Sequence, residues 1–301
     1  YLSSGRAEDF GGLPVHWHSS LNEVPAAGDE NPTEYIIAQE LLDALPVFAF
    51  QCGEGGVWRE RMVAANPAFD PASCDPADPE SPRPLQIVLA PAPTPALTTL
   101  LRNLNAEGRE QSEPHTAAGA VLEVCPEACK LGQDIAARVD EHGGAALIVD
   151  YGSDGRTGDT LRAFKGHELA DILEKPGEID ITADVDFAAV RDAAEGMLSD
   201  RGDAFLKKAE GEKSEHRFRP GSARVFGPVP QGSWLMSLGI VKRVEALIES
   251  DDVTVETAND LFEGMTKLVQ GDQMGERFKV MSVVGGRAGK LDVAVGKPPG
   301  F

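Results

Sequence analysis

Residues 143–160, GGAALIVDYGSDGRTGDT, decide how the chain is read. Ala145 to Val149 is a short, wholly apolar run with two β-branched residues. It stops abruptly at Asp150-Tyr151-Gly152, before a polar, glycine-rich segment. A strand buried on both faces of a parallel sheet reads this way where it leaves the sheet for a loop. Ligands of open α/β sheets sit beyond the carboxyl ends of the strands. Asp150 and Tyr151 are therefore candidate site residues.

Working upstream, Pro126 opens a helix at a position where proline is tolerated. Ala128, Leu131, Ile135 and Val139 recur at helical spacing, and His142-Gly143-Gly144 ends the helix. Helix, glycine stop, buried strand and acidic loop make half of a βαβ unit, and the chain reads as α/β. Residues 35–38, YIIA, are a second strand candidate, also read as buried. Gln39, Glu40 and Asp43 follow at its carboxyl end. A helical turn starting there puts Glu40 and Asp43 on one face, and Pro46 stops it.

The flanks fill in around these two strands. Residues 13–17 are a short strand candidate, and 25–32 a linker. Residues 47–63 read as a hairpin about Gly53-Glu54-Gly55-Gly56. Those glycines lack the helix and lysine of a phosphate loop. Residues 64–84 are a proline-rich insertion, 85–90 a strand, 103–118 a polar loop, and 121–124 an extended segment. Asp186 is placed to cap a helix starting at Phe187. A short helix from Gln231, one carrying Val244, Leu247 and Ile248, and an amphipathic helix over 255–269 follow. Residues 278–284 are a last strand, and the glycine-rich tail to Phe301 is expected to be disordered.

Composition narrows the function. Asp and Glu outnumber Lys and Arg 49 to 28, a net charge of −21. Such a surface repels phosphate backbones, which argues against nucleic acid, and attracts basic peptides. No run of about 18 apolar residues suggests a membrane span. Cys52, Cys74, Cys125 and Cys129 form no Cys-x-x-Cys pair and read as reduced thiols. His167 is the histidine nearest the central loop. There is no nucleophile elbow, P-loop or dinucleotide fingerprint. Carboxylates at strand ends serve to hold a ribose or amine, a metal, or a guanidinium in bidentate fashion, or to act as an acid–base pair. Spacing leaves these open, beside the reading that Asp43 or Asp150 only caps a turn.

Eight short segments occur in a recognisable order: 39–46 (QELLDALP), 89–91 (LAP), 123–126 (EVCP), 143–152, 158–162 (GDTLR), 180–187 (DITADVDF), 231–235 (QGSWL) and 274–278 (MGERF). Together they resemble the MidA-like family of S-adenosylmethionine-dependent methyltransferases. The resemblance runs from about residue 13 to 284. It implies a class I, Rossmann-like methyltransferase fold: a mostly parallel sheet with helices on both faces and an inserted subdomain. It also implies a mitochondrial matrix enzyme that uses S-adenosyl-L-methionine to dimethylate symmetrically an arginine of a complex I subunit, during complex I assembly.

On that mapping, residues 1–46 and 121–284 hold the core, with a helical insertion around 187–270. Residues 47–120 are the insert and 285–301 the tail. Glu40 and Asp43 become the catalytic carboxylates that orient the guanidinium. Gln39, Asp150 and Tyr151 line the cofactor side of the same pocket. The family's glycine-rich cofactor turn and its ribose-binding acid belong upstream of residue 13. This chain alone is thus expected to bind the cofactor weakly and to leave a sheet edge uncovered. An inactive assembly scaffold on the same fold is the alternative, and a small-molecule methyltransferase a third reading.

Overall fold

The computed structural model describes residues 15–25, 34–72, 78, 81–106, 117–155, 158–166, 168–196, 223–250, 253–285 and 297–301. Cys74 and His167 lie outside them. In chain order the strands are β1 (Glu34–Gln39), β2 (Phe48–Cys52), β3 (Trp58–Ala65), β4 (Leu85–Leu89), β5 (Val121–Val124) and β6 (Gly144–Ser153). Then come β7 (Arg162–Lys165), β8 (Glu168–Ala170), β9 (Asp180–Thr182), β10 (Val185–Asp186), β11 (Arg224–Pro230) and β12 (Phe278–Val284). The helices are α1 (Pro95–Ala106), α2 (Pro126–His142), α3 (Phe187–Ala194), α4 (Gln231–Ser237), α5 (Ile240–Ile248) and α6 (Val255–Val269). None of the described helices is long and apolar enough to cross a membrane.

The main sheet has the order β1-β6-β12-β11, with β10 pairing the far end of β6. β1 and β10 run parallel to β6, while β12 is antiparallel to both β6 and β11. β11 therefore points the same way as β1 and β6, and β12 alone is reversed. The start of the β1–β6 pair depends on Gly144. Its φ is 109°, and a Cβ there would lie 1.8 Å from the Glu34 carbonyl oxygen. Helix α2 crosses this sheet and packs against α3. Ile135, Ala136 and Val139 of α2 meet Ile148 of β6, Phe187 and Val190 of α3, and Met281 and Val283 of β12, all essentially out of water. Burying each such large aliphatic or aromatic side chain contributes roughly 1.5–3 kcal/mol. As expected, Asp186 caps α3 by accepting from the Ala189 amide.

The chain between β1 and β6 builds a second, antiparallel sheet of order β4-β3-β2-β5. Residues 121–124 pair with β2 here rather than with the main sheet. Phe50 is sealed under Ala96, Leu97 and Leu100 of α1. A third, small sheet has the order β8-β7-β9.

Four expectations change. Residues 15–17 join no sheet, and Trp17 is exposed. Residues 35–38 are not buried on both faces. Among the described residues β1 is an edge strand, with Tyr35 80% and Ile37 73% exposed. Helix α1 occupies part of the expected loop. Pro95 stands at its start, where no amide donor is needed, and the Thr94 hydroxyl accepts from the Leu97 amide. The disorder expected of the tail does not extend to its end, where Phe301 packs against Phe226 and Trp234.

Candidate active site

β1 and β6 end side by side, and the loop after β1 folds over the end of β6. The parallel ladder runs one residue past β1, where the Glu40 amide donates to the Val149 carbonyl at 3.0 Å. Glu40 then adopts a left-handed backbone with φ 47°. That conformation is costly for a residue with a side chain, and it turns the chain sharply back. The expected helical turn is not formed, so Glu40 and Asp43 do not share a helical face. Instead the amides of Leu41, Leu42 and Asp43 all donate to one oxygen of Asp150, Oδ2, at 3.1, 2.9 and 3.3 Å. The Tyr151 amide donates to Oδ1 at 2.9 Å. Successive amides converging on one carboxylate form an anion nest.

Asp150 is fully buried. Burial first, and the nearby Asp43 charge second, push its pKa up to about 6, against the opposing pull of the amide donors. All the donors named here are the protein's own backbone, so Asp150 holds the loop in place.

Strand alternation turns Tyr151 to the opposite face from Asp150. Its hydroxyl donates to Oδ2 of Asp43 and adjoins Thr182. Burial, then the bond to Asp43, keeps this phenol protonated well above the usual tyrosine range. Its ring meets Phe278 edge-on at 5.5 Å. The Arg162 guanidinium carbon lies 5.1 Å from the Tyr151 ring centroid. Arg162 also pairs with Asp184.

Asp43 is only 6% exposed. Its Oδ1 is buried without a hydrogen-bond partner among the described residues. A buried carboxylate oxygen left in that state costs on the order of 1–3 kcal/mol. Gln39 and Glu40 lie exposed on the edge beside it. Five sequence-named residues thus divide into two groups. Asp43, Asp150 and Tyr151 form one bonded cluster, and Gln39 and Glu40 stand at its solvent rim.

Sequence reasoning missed Arg162, Thr182 and Asp184 as neighbours of this cluster. Their signal lay in the two segments 158–162 and 180–187, which bring Arg162 and Thr182 in on the paired strands β7 and β9 and Asp184 just after β9. It also missed a second buried acid. Glu123 of β5 accepts from the Thr160 hydroxyl and from the amides of Thr160 and Leu161 at 3.1 Å. The Thr160 oxygen in turn accepts from the Asp184 amide at 2.9 Å. Gly158 permits this clasp, since a Cβ there would sit 1.8 Å from the Val121 carbonyl oxygen.

Comparison with known proteins bears on this geometry. Residues 7–201 match a family described as S-adenosyl-L-methionine-dependent methyltransferases. The chain is 36% identical over 273 residues to the mitochondrial protein arginine methyltransferase NDUFAF7 of Danio rerio, covering 91% of this chain and 51% of the relative. It is 31% identical over 274 residues to the Homo sapiens protein of the same name, covering 91% of this chain and 49% of that one. The chain spans about half the length of the curated relatives it matches. In structure it resembles a COG1565 superfamily member from Burkholderia thailandensis bound to S-adenosyl-homocysteine. That likeness has a TM-score of 0.61 at 22% identity, over 93% of this chain and 59% of the other.

Proposed function

The chain belongs to the family of S-adenosyl-L-methionine-dependent methyltransferases, and from that premise we propose that it acts as a mitochondrial protein arginine methyltransferase. Its fold is the Rossmann-like fold of these enzymes. The observation that carries the reading is Asp43: one oxygen is fixed by Tyr151 and the other is left without a partner among the described residues. It lies at the carboxyl end of two parallel strands, beside the exposed Glu40.

A guanidinium presents N–H groups in a planar fork that matches carboxylate oxygens. Asp43 Oδ1 takes one such N–H, and Glu40 takes another from the solvent side. Tyr151 keeps Asp43 from rotating, and Asp150 keeps the loop that carries both. The rim would also suit the cofactor's methionine end, whose ammonium needs an acceptor of the kind the Gln39 side-chain oxygen offers. S-adenosylmethionine supplies an electrophilic methyl group on a sulfonium. The chain's own task is alignment, holding the arginine nitrogen in line with that methyl group. Methylation releases a proton from the attacking nitrogen, and the Glu40 carboxylate is positioned at the solvent rim to pass it on.

The product is symmetric ω-N-dimethylarginine, the substrate a complex I subunit, and the compartment the mitochondrial matrix. The supporting likeness is to relatives named mitochondrial arginine methyltransferases. The test uses the intact native protein, methyl-labelled S-adenosylmethionine and isolated complex I subunits. Mass spectrometry then reads the site and the isomer. Symmetric dimethylarginine on one subunit supports the reading. Label on a metabolite, or on no arginine, overturns it.

A further inference from the structure

We infer that one face of the small β8-β7-β9 sheet docks the basic stretch of protein flanking the target arginine, an inference that rests on the arginine-methyltransferase reading above. The face follows from register. Arg162 pairs with Thr182 and Phe164 with Asp180 across β7 and β9, and Phe164 pairs with Leu169 across β7 and β8. Side chains directly opposite one another, or two apart along a strand, share a face. Arg162, Thr182, Phe164, Asp180 and Leu169 therefore form one continuous surface.

Its inner end is the site. Arg162 lies over the Tyr151 ring, and Thr182 adjoins the Tyr151 hydroxyl, which is bonded to Asp43. Its outer end is open, with Leu169 75% exposed and Asp180 exposed. One pleat separates the two ends, about 7 Å along the strands. An arginine at Asp43 would thus bring its next two or three residues over Phe164, Asp180 and Leu169.

Charge selects the occupant. Asp180 is exposed on this face, and Asp171 and Glu178 are exposed on the loop joining β8 to β9, while Arg162 and Lys165 already have acidic partners in Asp184 and Glu174. An exposed apolar residue and an exposed carboxylate on one face fit a peptide that alternates basic and apolar residues. The unpartnered Oδ1 of Asp43 at the inner end asks for a cation of its own. The net charge of −21 steers the same kind of partner from a distance.

The experiment titrates the intact native protein with a fluorescein-labelled peptide holding one arginine flanked by leucine and lysines, reading anisotropy, with a glutamate-for-lysine peptide as control. Asp180→Lys should weaken the basic peptide about tenfold and flatten its salt dependence. Leu169→Ser should weaken it roughly threefold. Methyl transfer is measured in parallel, and both variants should raise KM for the peptide and leave kcat within twofold. Equal binding by all variants, no binding by the native protein, or equal binding of the acidic control overturns the docking face. Normal peptide binding with no transfer to arginine would instead remove the enzymatic reading and leave the face standing.

Discussion

Glu123 and Asp43 are both carboxylates sunk in the protein, one in the strand before α2 and the other in the loop after β1. Their surroundings differ in one respect. Glu123 accepts from a hydroxyl and two amides of the 158–162 segment, and so locks that segment to the second sheet. Asp43 accepts from Tyr151 and leaves its other oxygen without a partner among the described residues. Asp150 sides with Glu123, since four backbone amides converge on it. Identical chemistry at similar depth can therefore serve two roles. A buried acid whose lone pairs are filled by backbone holds a loop. On the proposed reading, one left half-filled among the described residues, at the carboxyl end of a parallel pair, receives a guanidinium.

Substitutions can break this comparison from either side. The largest effect is expected at the rim. On the proposed reading, Glu40→Gln should lower methyl transfer to arginine about a thousandfold, roughly 4 kcal/mol of barrier, because the amide would lose the charge that is to align the guanidinium. Glu40 is exposed, so the melting temperature should hold. Labelled-methyl assays and thermal melts on the same preparation read both.

Next comes Asp150→Asn. Its NH₂ group would face amide donors instead of accepting from them, and about 3 kcal/mol of stability should be lost. Urea unfolding measures it. If stability is unchanged, Asp150 does not hold the loop.

Asp150 also predicts a pH dependence. The folded protein keeps this proton up to about pH 6. The unfolded chain releases it near pH 3.9. Between those values the folded state binds more protons, so this group favours folding at acid pH and its contribution fades as pH rises through about 6. The stability of the protein relative to its Asp150→Ala variant should therefore shrink, by up to about 3 kcal/mol, between pH 4 and 7. Parallel unfolding curves across that range check it.

The smallest effect belongs to the structural clasp. Glu123→Gln keeps one acceptor oxygen and should cost about 1–2 kcal/mol, with methyl transfer within twofold. Hydrogen exchange at the Thr160 and Leu161 amides should quicken.

The alternation of apolar runs and polar strand ends made β6, α2, α6 and β12 legible, because long periodic or wholly apolar segments carry their own signal. Helix α1 was hidden by Pro91, Pro93 and Pro95, which read as loop although the last is a helix start. Strands β7 and β8 were too short to stand out. At the site, residue types and strand ends pointed to Gln39, Glu40, Asp43, Asp150 and Tyr151. Their division into support and rim was not legible. It depends on the left-handed turn at Glu40, which no periodicity announces, and on partners more than a hundred residues apart.

The central claim is that the unpartnered oxygen of Asp43 receives the arginine. Asp43→Asn tests it most directly, because the amide oxygen still accepts from Tyr151 and the loop keeps its amide bonds to Asp150. The measurement is single-turnover methyl transfer to an arginine peptide by the native protein and this variant. The account predicts a loss of at least about a hundredfold with unfolding free energy held within about 1 kcal/mol. Transfer at the native rate by the folded variant would contradict it.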